Sequence, residues 1–125
     1  RFIIPEGLFR PHFLRINENG VDYWLFSIIQ QCDMEFRKDL YSNILLSGGS
    51  TMFKGFKERL QKEIDNLVNP TINVKIESPE NRNIATWIGA SIFASQNYFS
   101  TKSISRFEYN ESGKIIINQK CPRIE

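Results

Sequence analysis

The sequence predicts an α/β layer arrangement, and three observations carry that expectation. Apolar residues recur at helical spacing in separate stretches, a short apolar run and an alternating segment between them read as strands, and the order helix, helix, strand, helix, strand, helix fits neither a bundle nor a sandwich. With 125 residues, 41% of them hydrophobic and 24% charged, the chain has the composition of one ordinary globular domain. Two strands make a thin sheet for that length, so the proposed buried faces want partners, and the chain reads as part of a larger fold. Its start at Arg1, already apolar at Phe2-Ile3-Ile4 and without a Met or a basic leader, agrees with a fragment.

The elements follow in order. Residues 1–11 contain Pro5, Gly7 and Pro11, which predicts a short strand and then irregular chain. Asn17 to Gly20 signals a turn. Asp22 is placed to cap a first helix whose buried face carries Leu25, Ile28, Ile29 and Cys32. Asp33 is placed to cap a second, reaching Tyr41, with Phe36 and Leu40 one turn apart. Ile44 to Leu46 reads as a buried strand entering the glycine turn Ser47-Gly48-Gly49. From about Gly55 a third helix carries Phe56, Leu60, Ile64, Leu67 and Val68, with Glu58 and Lys62 able to pair across one turn, and Asn69-Pro70 stops it. Ile72 to Glu77 alternates apolar and polar residues as a half-covered strand does, and Ser78 to Asn81 turns the chain. Residues 85–96 are apolar but rich in Ala, Gly and Ser, which predicts a helix packed closely on its neighbours, with Gly89 allowing the approach and Trp87 in the core. Beyond Tyr98 come short amphipathic pieces, a turn at Glu111 to Gly113 and the apolar Ile115 to Ile117.

Several classes are excluded. No run approaches the roughly 18 apolar residues of a membrane span. The formal charge of +2 is small, with Lys and Arg scattered among Asp and Glu, so there is no footprint for direct nucleic-acid binding. Cys32 and Cys121 stand without a CxxC or Cys/His set, which fits a reducing compartment better than a disulfide or zinc scaffold and leaves Cys121 as an accessible thiol. His12, alone in the chain, has no second imidazole for a metal and is a surface or packing residue.

One constellation bears on chemistry. A strand ending in Gly48-Gly49, followed by Ser50-Thr51 and a helix, lets backbone approach a ligand because glycine has no Cβ. Free amides at such a turn and the two hydroxyls attract phosphate or sugar oxygens. The spacing is not that of a Walker A loop, and on chemistry alone a plain tight turn is the favoured explanation.

Longer stretches extend that reading. RFIIPEGLFRP at 1–11, CD at 32–33, RKDLYSN at 37–43, LSGGSTM at 46–52, RLQKEI at 59–64, WIGASI at 87–92, EY at 108–109 and ESG at 111–113 resemble the actin family, in its order and almost without gaps. The resemblance implies a ribonuclease-H-like fold of the actin/Hsp70/hexokinase ATPase type, of which this chain is the C-terminal part. Residues 1–16 would end the outer subdomain of the large domain, 17–84 would be its inner subdomain, and 85–125 would belong to the small domain. It implies ATP or ADP with Mg²⁺ or Ca²⁺ in the cleft of the full-length protein, with none bound by the fragment alone. Gly48, Gly49, Met52 and Phe53 would lie beside the adenosine, Phe53 replacing a usual Tyr, and Asn83 would stand where the family has a Lys over the adenine.

The same resemblance assigns surfaces. Ile92, Phe93, Gln96, Tyr98 and Lys102 would line the small-domain cleft for actin-binding proteins, with Gln96 and Lys102 making it more polar than the family's. Phe13, Leu14 and Arg15, Asp33 and Glu35, and Asn69 and Thr71 would meet other actin-like subunits in a filament. The family is a slow ATPase whose catalytic and metal-holding residues lie upstream, so no catalytic residue is assigned here. The expectation is an ATP-binding, cytoplasmic, cytoskeletal filament subunit. A non-polymerising scaffold subunit without nucleotide turnover is the alternative, and a sugar kinase of the same superfamily is disfavoured by the actin-like flanks.

Overall fold

A computed structural model describes residues 3–120; Arg1, Phe2 and residues 121–125, Cys121 among them, lie outside the described residues. These residues form two compact units, one up to Thr86 and one from Trp87 onward.

The first unit opens on a helical turn, α1 (Ile3–Glu6), where a strand was expected. Pro5 is the reason: its fixed φ and missing N–H suit a first helical turn, and the Gly7 N–H closes the turn on the Ile3 carbonyl at 2.8 Å. A 3-10 turn over Pro11–Leu14 leads through Arg15, in the left-handed region at φ 60°, to α2 (Val21–Gln31). Gly20, not Asp22, occupies the cap position, where a Cβ would overlap the Phe9 carbonyl. Asp22 sits inside the first turn of α2, buried, and pairs with Arg10 at 3.3 Å.

The buried stripe of α2 is Asp22, Leu25, Phe26 and Ile29; Ile28, expected inside, is exposed, and Cys32 is only half-buried. In α3 (Met34–Ser42), Asp33 precedes the helix but makes no side-chain cap. Phe36 and Leu40 are exposed, and the buried residue is Tyr41, whose hydroxyl accepts from Gln30 Nε2 at 3.2 Å. A helical repeat marks a stripe without marking which way it faces; α2 and α3 pack on each other and leave Ile28, Phe36 and Leu40 outside.

β1 (Ile44–Leu45) and β2 (Ile76–Glu77) are parallel, with Ile44 opposite Ile76 and Leu45 opposite Glu77. The crossover a parallel pair requires is α4 (Phe56–Leu67), which packs against β2 and α2. The alternation at 72–77 holds: Ile72, Val74 and Ile76 face the core while Asn73, Lys75 and Glu77 are exposed, though only the last two residues are paired as strand. The core joins Phe9, Ile29, Tyr41, Ile44, Leu46, Phe56, Leu60, Ile64, Val68 and Ile76. Leu67, grouped with them by spacing, is 39% exposed.

A chain of charges fastens α1, α2 and α4 together: Glu6 to Arg59 at 2.9 Å, Arg59 to Glu63 at 2.7 Å, Glu63 to Arg10 at 3.0 Å, and Arg10 to Asp22. Thus the one-turn ion pair of α4 is Arg59–Glu63, not Glu58–Lys62. Burial would push the Glu63 carboxyl up, but hydrogen bonds from Arg59 and Arg10 outweigh it and hold the group below its ordinary value. Arg59 also lies over the Phe9 ring, 5.1 Å from its centroid.

The second unit contains α5 (Ala85–Ala94, which begins at the end of the first unit), α6 (Phe99–Lys102), α7 (Arg106–Ser112) and α8 (Ile115–Lys120). Ser105 caps α7 in a capping box with Glu108, and Gly113 ends it at φ 60°. Lys120 then ties α8 back, donating to the Ser103 carbonyl and to Glu108 Oε1, each at 2.7 Å. No described residue of α5 to α8 is buried. Trp87 is 70% exposed, and a Cβ at Gly89 would meet no atom within 4 Å, so neither the core role of Trp87 nor the close approach at Gly89 is realised within the described residues. The longest helix among the described residues is α4, and no described helix is long and apolar enough to cross a membrane.

Candidate functional site

The turn after β1 is built by alternation. Ile44 and Leu46 are anchored in the core, Leu45 is exposed, and the chain leaves the sheet at Ser47. Gly48 then adopts φ 94° and ψ 154°, a conformation open essentially to glycine alone. A single 3-10 turn follows over Gly49–Met52, and a second left-handed glycine, Gly55, starts α4.

What holds this turn is Arg82, 31 residues beyond Thr51. The Arg82 carbonyl accepts the Gly48 N–H at 2.8 Å. Its guanidinium donates from Nε to Thr51 Oγ1, from Nη2 to the Thr51 carbonyl and from Nη1 to the Pro79 carbonyl, each at 3.0 Å. Thr51 in turn donates its hydroxyl to the Gly48 carbonyl at 2.8 Å. Ser47 Oγ lies 3.5 Å from the Arg82 carbonyl and 3.4 Å from Thr86 Oγ1.

Two expectations are corrected by these bonds. The Gly48 amide and the Thr51 hydroxyl, read from sequence as free for a ligand, are both committed to the turn. The donors left on the turn are the Gly49 and Ser50 amides, which find no backbone partner among the described residues, and the Ser50 hydroxyl. A Cβ at Gly48 or at Gly49 would meet nothing within 4 Å, so the ground beside both glycines is open. Met52 and Phe53, on the same turn, are 43% and 41% exposed.

Asn83 is exposed and comes next to Gly48 through its neighbour Arg82. The structure therefore gathers Gly48, Gly49, Met52 and Asn83 around one turn. Phe53 also lines a cavity of about 250 Å³ with Phe9, Phe56, Lys54, Gly55, Glu6 and Arg59, and Gly48, Gly49 and Asn83 are not part of that wall. Among the described residues no three His, Cys, Asp or Glu side chains cluster as a metal site would require.

The remaining candidates fall in separate segments. Phe13 and Leu14 are exposed on the 3-10 turn before Arg15, and the His12 ring rests on Phe13 with centroids 4.3 Å apart. Asp33 and Glu35 are exposed at the start of α3. Asn69 Oδ1 accepts from the Thr71 N–H at 3.0 Å and its hydroxyl at 2.9 Å, which makes that pair a helix stop in its own right. In the second unit Phe93 packs edge-on against Tyr98 at 5.8 Å, and Gln96 reaches the Ile92 carbonyl at 3.4 Å. Phe99, which the sequence did not single out, completes this cluster at 5.7 Å from Phe93, while Lys102 is exposed at the end of α6.

A parallel βαβ unit with a glycine turn at the end of its first strand defines an α/β protein, and the family comparison specifies which. The Actin family model matches residues 1–122, and this chain belongs to the actin family. It is 43% identical over 124 residues to "Putative actin-29" of Dictyostelium discoideum, an alignment covering 97% of this chain and 32% of that protein. The chain thus spans about a third of the length of the relative it matches. Membership implies the actin/Hsp70/hexokinase-type ATPase fold, of which the mixed helices and two parallel strands here are a small part.

Proposed function

We propose that the full-length protein is an actin-like subunit that binds ATP or ADP, and that the turn from Ser47 to Phe53, with Asn83, forms the adenosine side of its cleft. The observation that carries this reading is the glycine turn: Gly48 is held in a glycine-only conformation while the space beside Gly48 and Gly49 stays open. The Gly49 and Ser50 amides supply donors, and Met52 and Phe53 supply apolar surface for a base or ribose. Phe53 keeps an aromatic face without a hydroxyl. Asn83, in the place where the resemblance leads one to expect a Lys, offers an amide and no charge.

When bound with the nucleotide, Mg²⁺ or Ca²⁺ would neutralise phosphate charge, and no described residue is assigned to it. The residues here orient and accept the nucleoside; turnover belongs to parts of the protein outside this chain. In the same reading Phe13, Leu14 and Arg15, Asp33 and Glu35, and Asn69 and Thr71 contact neighbouring subunits of a cytoplasmic, cytoskeletal filament. The cluster Ile92, Phe93, Gln96, Tyr98 and Lys102 receives actin-binding proteins.

Equilibrium dialysis of the full-length protein against ATP with Mg²⁺ tests the nucleotide claim, and saturable binding of one ATP per chain is expected. Absence of binding would remove it and leave the second reading, a non-polymerising scaffold subunit, which the missing cation at Asn83 favours. For the filament claim the full-length protein is sedimented with ATP and Mg²⁺; failure to pellet at high concentration sinks it.

A further inference from the structure

We propose that Arg82 is a positioning residue for nucleoside binding, joining the Ser47–Met52 turn and the Pro79–Asn83 turn into one rigid wall. The inference rests on the adenosine reading above. Its basis is a closed ring of bonds. The Arg82 main chain holds the amide side of Gly48, and its side chain holds, through Thr51, the carbonyl side of the same residue. Gly48 is therefore clamped on both peptide groups in a conformation it would otherwise leave freely, since an isolated glycine samples much of φ, ψ space.

The chemistry selects arginine. Three acceptors on two different turns, Thr51 Oγ1, the Thr51 carbonyl and the Pro79 carbonyl, are met at once by a planar fork of fixed donors. A lysine ammonium could reach one or two of them but could not hold their mutual angle. The bond from Arg82 Nε also fixes the Thr51 hydroxyl: with its oxygen accepting from arginine, its proton is directed to the Gly48 carbonyl. Neither Arg82 nor Thr51 needs to touch the nucleotide. They set the direction of the Gly49 and Ser50 amides and the placement of Asn83, the groups that would.

A residue that only stapled the fold would affect unfolding and leave ligand kinetics alone, and that difference supplies the test. In the full-length protein, dissociation of a fluorescent etheno-ATP is followed by stopped flow for Arg82→Ala, Arg82→Lys, Thr51→Val and Thr51→Ser, with unfolding measured alongside. Arg82→Ala is expected to speed dissociation about tenfold, the scale of one lost charge-assisted hydrogen bond. Arg82→Lys should recover part of that loss, Thr51→Val should resemble Arg82→Ala, and Thr51→Ser, which keeps the hydroxyl, should stay within about twofold of wild type. Combining Arg82→Ala with Thr51→Val should add little to either change, because both break the same ring. Should Arg82→Ala and the milder Thr51→Val alter stability while leaving dissociation unchanged, with Gly49→Val still weakening binding, Arg82 would be a staple and the inference would be overturned. Indifference of nucleotide binding to Gly49→Val as well would overturn the adenosine reading itself.

Discussion

Ile64 and Leu67 occupy the same predicted face of α4, yet the structure assigns them opposite fates, and replacing each by alanine separates the two accounts. Ile64 is fully buried, at 0% exposure, between the parallel strands and α2, whereas Leu67 is 39% exposed. Ile64→Ala removes three carbons from a closed site. At about 0.8 kcal/mol for each buried carbon the transfer loss is roughly 2.4 kcal/mol. The cavity left behind raises the total to about 3–4 kcal/mol, because neighbours anchored on two strands and a helix relax only in part. Leu67→Ala loses only a fraction of its transfer energy and leaves no closed cavity, so a cost below about 1 kcal/mol is expected. Urea unfolding of the full-length protein, followed by far-ultraviolet circular dichroism, reads both, and Ile64→Ala should lower the midpoint at least about threefold more than Leu67→Ala. Equal losses for the two variants would refute the packing of α4 described above.

Other consequences follow from the same contacts. Gly48→Ala should destabilise by about 1–3 kcal/mol through backbone strain alone, since its φ of 94° suits no Cβ while nothing nearby would clash, and urea unfolding measures it. Glu63, depressed by Arg59 and Arg10 against its own burial, contributes stability that is fully present above its ordinary value of 4.5 and is lost as pH falls through its lower folded value; Glu63→Gln should remove that part of the acid dependence in unfolding measured from pH 7 to pH 3. The Glu108 carboxyl is held at about 2 by Lys120 first and by the Ser105 N–H and hydroxyl next, so Lys120→Met should move its midpoint back toward 4.5 in a carboxyl NMR titration.

The order of the elements from α2 to α5 was legible in the sequence because it rests on periodicity, whereas the opening strand expected at residues 1–11 is the helical turn α1. The alternation at 72–77 gave the correct faces even where only Ile76 and Glu77 are paired, and Asn69-Pro70 stopped α4 where expected. Facing was less legible. Ile28, Phe36 and Leu40 carry the apolar pattern yet lie outside, while Asp22 is buried because Arg10, twelve residues earlier, supplies its charge partner. Local spacing contains no record of such a partner. The same limit hid Arg82: its bonds to Thr51 span 31 residues, and only the fold brings Pro79–Asn83 beside the glycine turn. Phe99 was nearer to hand, since Phe93, Tyr98 and Phe99 lie within seven positions and short helices fold such aromatics together. For Trp87 and Gly89, the small-residue pattern of α5 marked the helix but not its packing: Trp87 is exposed and the space beside Gly89 is open among the described residues.

The central claim is that the open ground beside the glycine turn is where a nucleoside lies, and Gly49→Val in the full-length protein tests it most directly. Gly49 has no left-handed backbone and its Cβ would touch nothing among the described residues, so a valine there perturbs a bound ligand far more than the fold. Titration with ATP and Mg²⁺ is expected to show affinity weakened at least about tenfold by Gly49→Val relative to the unsubstituted protein, with unfolding little changed. Undiminished affinity in Gly49→Val would contradict the account.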